Sequence, residues 1–379
     1  MNLSNRHLLL FVLIITFTFS LFSHFTHAET VPFDSSRWVM QPNTSRLEDH
    51  LGQKSLYLKG GTAYLKDVNF TNGIIEFDVA FSRERGFFGA MFRMQDKENY
   101  EEFYLRSHQS GNPDAIQYSP VYNRLSAWQL YHGEGYSAAV TFHFDRWMHV
   151  KLMVSGKIAE LYIDNNETPV MFMHDLKREI KPGLVGVKAL PFSAGHFANF
   201  SVTTMDNPLM KSKSKSVPEI EAGTVMIWEV SGTFAEQTLD KKSLLSAAEK
   251  EPLKWKKLEC EGSGLANFSK ISRLNRMKNT VFARITIDSH SQQIKKLKFG
   301  FSDRIKVYLN DRLLYAGNNN YRSRDYRYLG TIGYFDELAL PLQKGKNELW
   351  MAVSENFGGW GIKCRFEDMN GITLRPAAQ

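Results

Sequence analysis

Residues 147–164 read WMHVKLMVSGKIAELYID, and the rhythm of their side chains decides the fold. Met148, Val150, Leu152 and Val154 recur at every second position, and after Ser155-Gly156 the beat returns in Ala159, Leu161 and Ile163. Successive side chains of a strand point to opposite faces, so a period of two gathers these apolar residues on one side. Two such runs around a glycine-containing turn predict an antiparallel hairpin with one buried face, ended by Asp164-Asn165-Asn166.

The same beat extends outward through 73–81, 87–94, 99–107, 138–144, 183–189 and 196–203, and no long segment carries the 3.6-residue period of a helix. Near 206 the texture changes to Asp206-Asn207-Pro208, then alternating Lys and Ser from Lys211 to Ser216, then Pro218. Alternating Lys and Ser cannot bury a face, so an exposed linker is expected. Strand patterning resumes at 224–230 and continues through 253–261, 281–288, 294–301, 304–309, 312–315, 336–340, 348–354 and 361–366. Asn310-Asp311 reads as a hairpin turn, and 240–251 is the best helix candidate, stopped by Pro252. The expected fold class is all-β: two antiparallel β-sandwich (jelly-roll) domains, 29–205 and 222–379, joined by a short linker at 206–221.

Residues 1–28 read as an export signal. Arg6 supplies a positive start, 8–22 is an apolar run of signal length, and Ala28 offers a small residue for cleavage. A spanning helix needs about 20 apolar residues, and no later run reaches that. The expected location is therefore secreted or periplasmic, with no integral membrane segment after signal removal. Across 379 residues, Lys and Arg total 47 against 40 Asp and Glu, a net +7 too thinly spread to argue for nucleic acid. Two cysteines exclude a disulfide-scaffold miniprotein and any multi-cysteine zinc module. In an oxidising compartment Cys260 and Cys364 admit two readings: a disulfide, worth ~4–5 kcal/mol for a loop of about 100 residues, or two buried thiols.

The runs GIIEFDVAF (73–81), FGAMFR (88–93) and the 147–164 hairpin resemble a concanavalin A-like, laminin-G-like jelly roll over roughly 32–205. RIKVYLNDRLLY (304–315) and LPLQKGKNELWMAVS (340–354) resemble a galactose-binding-domain-like jelly roll over 222–370. Both resemblances imply glycan-binding modules or accessory domains of glycan-processing enzymes, although fold alone does not fix function.

Strand parity assembles the first candidate site. If 96–99 form the turn after 87–95, Arg93 faces Glu102, and one sheet face carries Arg93, Glu102, Tyr104 and Arg106, joined by Gln129 and Tyr131. Tyr offers a flat platform to the C–H face of a sugar, while Arg, Glu and Gln pair with adjacent hydroxyls. The same alternation also yields a plain solvated charge ladder, worth ~0–1 kcal/mol per pair. Glu76 and Asp78 share a strand face, which suits a carboxyl pair for glycoside hydrolysis or lysis on a concave face together with Glu102. Resemblance to the E-x-D-x-x-E strand of jelly-roll glucanases is incomplete, because Phe81 stands in the third acidic place.

The second candidate is the loop 317–330, with Tyr321, Arg322, Arg324 and Asp325, beside Trp360 in the glycine-rich run 357–361. It suits a sugar or carboxylate ligand, or else pins itself by Arg–Tyr stacking. A structural calcium is the one candidate cofactor, held by Glu259, Glu261 and Asp368; exposed acids explain these residues without a metal. The expected function is an exported carbohydrate- or cell-surface-binding protein. The alternatives are a glycoside hydrolase or lyase using Glu76, Asp78 or Glu102, and a protein–protein adhesion module.

Overall fold

The computed structural model describes residues 29–213, 219–323, 325 and 329–376. The expected signal at 1–28, Arg324 and linker residues 214–218 lie outside the described residues.

The predicted hairpin is present: Met148–Ser155 pairs with Ile158–Ile163 in the register Val150↔Ile163, Leu152↔Leu161 and Val154↔Ala159. Met148, Val150, Leu152, Val154, Ala159 and Leu161 are fully buried, and Gly156 takes the positive φ of the turn, 58°. Among the described residues this hairpin belongs to an eight-stranded antiparallel sheet. Its order is Met171–Met173, Ile158–Ile163, Met148–Ser155, Gly73–Phe81, Gly195–Thr204, Gln53–Leu58 and Ser45–His50, with Glu29–Thr30 paired to one end of the interior strand Gly195–Thr204. A second eight-stranded sheet packs against it, ordered Leu125–Ser126, Ile116–Tyr122, Asn99–Arg106, Phe87–Asp96, Leu184–Ala189, Gly61–Leu65 and Trp38–Val39, with Ser137–Ala138 beside Ile116–Tyr122. Ile75, Phe77 and Val79 from one sheet meet Phe88, Ala90, Phe92, Phe103 and Leu105 from the other in one apolar core.

Residues after 224 build another antiparallel sandwich, of seven and four strands among those described. Its core joins Trp228, Phe299, Phe301, Val307, Leu349, Met351, Trp360, Ile362 and Phe366. Asn310 and Asp311, at φ 49° and 71°, form the expected turn.

Two expectations change. The segment 240–251 is helical only at Ala247–Lys250, capped by Ser246 and Glu249. Leu239 and Leu245 instead cover Tyr308, Trp350 and Phe282 on the outside of the larger sheet, so their spacing serves a flat surface rather than a helix stripe. Cys260 and Cys364 are free thiols, which corrects the disulfide reading; Cys364 is buried, with its Sγ 3.6 Å from Met351 Sδ. Lys211 and Lys213 are exposed, as expected of the linker; the Ser212 N–H donates to the buried Glu160 carboxylate, and Lys211 Nζ donates to the Glu167 carbonyl at 2.5 Å.

Candidate functional site

A cleft of about 440 Å³ opens between the two sandwiches. Its floor is the outer face of the sheet carrying Phe87–Asp96, Asn99–Arg106 and Ile116–Tyr122. Phe103 and Leu105 point into the core, so Glu102, Tyr104 and Arg106 face outward, as parity requires. The registers Gly89↔Tyr104↔Gln117 and Met91↔Glu102↔Ser119 lay these groups in rows, and Lys188 lies opposite Gly89. With no side chain at Gly89, Lys188 Nζ reaches Glu102 Oε2 at 2.6 Å and also the Tyr100 hydroxyl at 3.0 Å. The Ser126 hydroxyl donates to the other Glu102 oxygen at 2.8 Å.

Arg106 is buried and fixed. Its Nη1 donates to the Asp114 carbonyl at 2.7 Å and its Nη2 to the Gln117 side-chain oxygen, while the guanidinium lies 5.1 Å from the Tyr104 ring centre and 5.6 Å from that of Trp128. Gln117 then donates to the carbonyls of Trp128 and Tyr131, tying the floor to the loop above. Burial pushes the Tyr104 hydroxyl up to about 12, against the pull of Arg106. Burial draws the Lys188 ammonium down, yet Glu102 and Tyr100 outweigh it and hold its pKa above the ordinary value. Burial, then Arg85 and Arg106, lower the His108 imidazole, which favours its neutral form at pH 7.

Two aromatic groups flank the floor. Phe87, His108 and Phe192 cluster on one side, with the Arg85 guanidinium 4.8 Å from the Phe192 ring centre. On the other, Trp128 meets Tyr321 and Phe357 at centroid distances of 6.3 and 6.2 Å. Phe192 and Phe357 are each 50% exposed, leaving ring surface for a ligand. Trp128 comes from the first sandwich and Tyr321 and Phe357 from the second, so the two separate sequence candidates border one site.

Several candidate residues lie elsewhere. Arg93 does not face Glu102; Met91 does, because the strand absorbs extra residues between Phe92 and Asp96. At φ 47° the Arg93 side chain turns inward, donates to the carbonyls of Thr71 and Gly156 and lies 3.6 Å from Glu101, where it holds structure. Gln129 and Tyr131 leave the sheet face with the loop 127–133, which plugs into the second sandwich. The Gln129 N–H donates to the Gly358 carbonyl at 2.7 Å, and the Tyr131 hydroxyl donates to Glu261. Trp360 is fully buried with its Nε1 donating to the Val353 carbonyl, because Gly358 and Gly359 turn the chain inward. Arg322 stacks 4.9 Å over Tyr321, and Asp325 is exposed on the same loop.

Glu76 and Asp78 sit on the outer face of the opposite sheet, away from Glu102. His149 bridges them, 2.8 Å from Asp78 and 3.6 Å from Glu76, and these two carboxylates push its pKa up to about 9. The calcium trio is dispersed as well. Glu259 pairs with Lys257, Glu261 with Lys177 and Lys270, and Asp368 with Lys295. Among the described residues no group of three or more His, Cys, Asp or Glu is arranged to hold a metal.

Sequence reasoning missed Lys188, Gln117, Trp128 and His108. Lys188 is a single charge in the apolar run LVGVKA, and the strand Ile116–Tyr122 is disguised by Ser119 and Pro120.

No protein-family model matches the sequence, and no curated protein matches it. Among solved structures, the carbohydrate-binding module CBM66 from Bacillus subtilis is 16% identical, with 44% of this chain aligned to 95% of that one at a TM-score of 0.34. A Bacillus licheniformis beta-glucanase is 10% identical, over 47% of this chain and 98% of its own, at 0.34. The Caenorhabditis elegans galectin LEC-6 is 9% identical, over 44% and 100%, at 0.29. Scores this low speak to neither ligand nor reaction, which rest on the cleft itself.

Proposed function

We propose that the protein is an exported binder that holds a carbohydrate in the cleft between its two sandwiches without cleaving it. The observation that carries this is the pairing of a fixed polar floor, Glu102, Tyr104 and Arg106, with rings contributed by both halves, Trp128, Tyr321 and Phe357. Aromatic rings take the C–H face of a sugar, and pre-fixed polar groups pair with its hydroxyls at little ordering cost. The floor is already ordered by Lys188, Ser126, Asp114 and Gln117. A recessed site suits a small ligand better than the flat patch of a protein–protein adhesion module.

Hydrolysis is less well supported. The carboxylates bordering the cleft, Glu102 and Asp114, are each engaged by a cation, Lys188 and Arg106. Glu76 and Asp78 are on the other sheet. The charge, apolar run and small residue within 1–28 support the export part of this reading; no helix among the described residues is long and apolar enough to cross a membrane.

A glycan array probed with the whole protein, followed by hydrolysis assays on each hit, tests this reading. Trp128→Ala is expected to weaken binding by roughly 30-fold, the equivalent of ~2 kcal/mol of lost ring contact. Silence across the array, unchanged binding by the folded Trp128→Ala protein, or turnover of a bound glycan would each overturn it.

A further inference from the structure

Behind the cleft wall, three strand ends of the second sandwich set Asn319, Asp303 and Glu355 side by side. Arg304 is opposite both Asn318 and Ser354 in the sheet, and the row one residue further out continues through backbone bonds. The Asn319 N–H donates to the Asp303 carbonyl at 2.7 Å, and the Asp303 N–H to the Ser354 carbonyl at 2.9 Å. All three side chains are at most 1% exposed.

Each carboxylate is half used. Asp303 Oδ2 accepts from the Asn356 N–H at 2.9 Å, and Glu355 Oε1 from the Gly359 N–H at 3.3 Å. Asp303 Oδ1 and Glu355 Oε2 are buried with no hydrogen-bond partner among the described residues, and so is Asn319 Oδ1. The Asn319 amide nitrogen faces the Phe301 carbonyl at 3.4 Å, so its oxygen is the end left over. Arg304 does not serve them: it is committed to Glu236 through two bonds of 2.6 Å, and to Asn320 and Asn356. Buried acceptors without donors are costly, and a shared cation satisfies several of them at once.

We propose that Asp303, Glu355 and Asn319 hold a divalent cation of the calcium class through these three oxygens. An all-oxygen donor set suits Ca²⁺, which tolerates irregular geometry and completes its shell with carbonyls and water, whereas Mg²⁺ demands a near-octahedral cage. Two carboxylates balance the charge. The site is separate from Glu259, Glu261 and Asp368, which are spent on lysines. The segment hung from these carboxylates carries Phe357 and Gly358, so the ion would set one wall of the cleft.

The test needs no sugar, so it stands or falls apart from the carbohydrate reading. Protein stripped by a chelator is titrated with CaCl₂ and separately with MgCl₂ by calorimetry, and its melting temperature is followed in both. One Ca²⁺ per chain and a raised melting temperature are expected, with Mg²⁺ at least about tenfold weaker. Glu355→Gln, which keeps the shape, is expected to weaken Ca²⁺ at least about tenfold. Asn319→Asp, which adds a charged ligand, is expected to tighten it, and it reports on the site even if the first variant does not fold. No Ca²⁺ binding at millimolar concentration, Mg²⁺ bound as tightly, or Ca²⁺ affinity unmoved in either folded variant would overturn the proposal.

Discussion

Glu102 is 3% exposed, and a carboxylate that deep must be neutralised where it stands. Lys188 does this, so Lys188→Met is expected to destabilise the protein by about 2–3 kcal/mol, less than a fully buried pair because Lys188 still reaches solvent. Adding Glu102→Gln should restore most of the loss; chemical denaturation of both variants measures it, and full additivity of the two substitutions would contradict the pairing. On the opposite sheet, His149 faces Asp78, Glu76 and, through Glu76, Lys151, while Asn199 donates to Asp78. Its folded pKa of about 9 exceeds the ordinary 6.5, so the stability it lends is complete below about pH 6.5 and fades as pH rises through 9. The melting-temperature gap between wild type and His149→Asn should therefore shrink between pH 6.5 and 10; a gap constant over that range would remove the linkage. Residue parity made Glu102, Tyr104 and Arg106 legible in sequence, because inward Phe103 and Leu105 fix their direction. Lys188 was not, since one charge at an alternating position leaves no pattern.

At the scale of elements, the strands were legible wherever one face is buried throughout, as in the 147–164 hairpin. The bulge at Arg93 was hidden, because extra residues inside a strand disturb pairing without disturbing composition. The loop 127–133 has no period at all, yet it is the plug between the halves: the Ile332 N–H donates to the Gln129 carbonyl at 3.0 Å, and Leu130 packs with Leu265 and Ile332. Gly358 receives this plug at φ 101°, and a Cβ there would lie 2.2 Å from Gln129 Oε1. Gly358→Ala is expected to cost about 2 kcal/mol or more from strain and overlap, and to open the cleft wall that carries Phe357. Melting temperature and glycan affinity should fall together; a fully stable variant would show that the loop yields freely.

Across the whole molecule, each sandwich has its own core, and charge ties them together. Glu261 of the second receives Lys177 at 2.9 Å and Tyr131 from the first, and Lys270 at 2.7 Å from its own side. Burial would raise its pKa, but Lys177 and Lys270 hold it below the ordinary value. Scanning calorimetry of the wild type is expected to give one cooperative transition, and Glu261→Gln two, with the interface weakened by about 3 kcal/mol. Two transitions in the wild type would mean that the halves stand independently. The cleft also has a meaning for inheritance. Its floor is encoded in one half of the gene and part of its rim in the other, so recombination that exchanged either half would carry away only a fragment of the cleft lining.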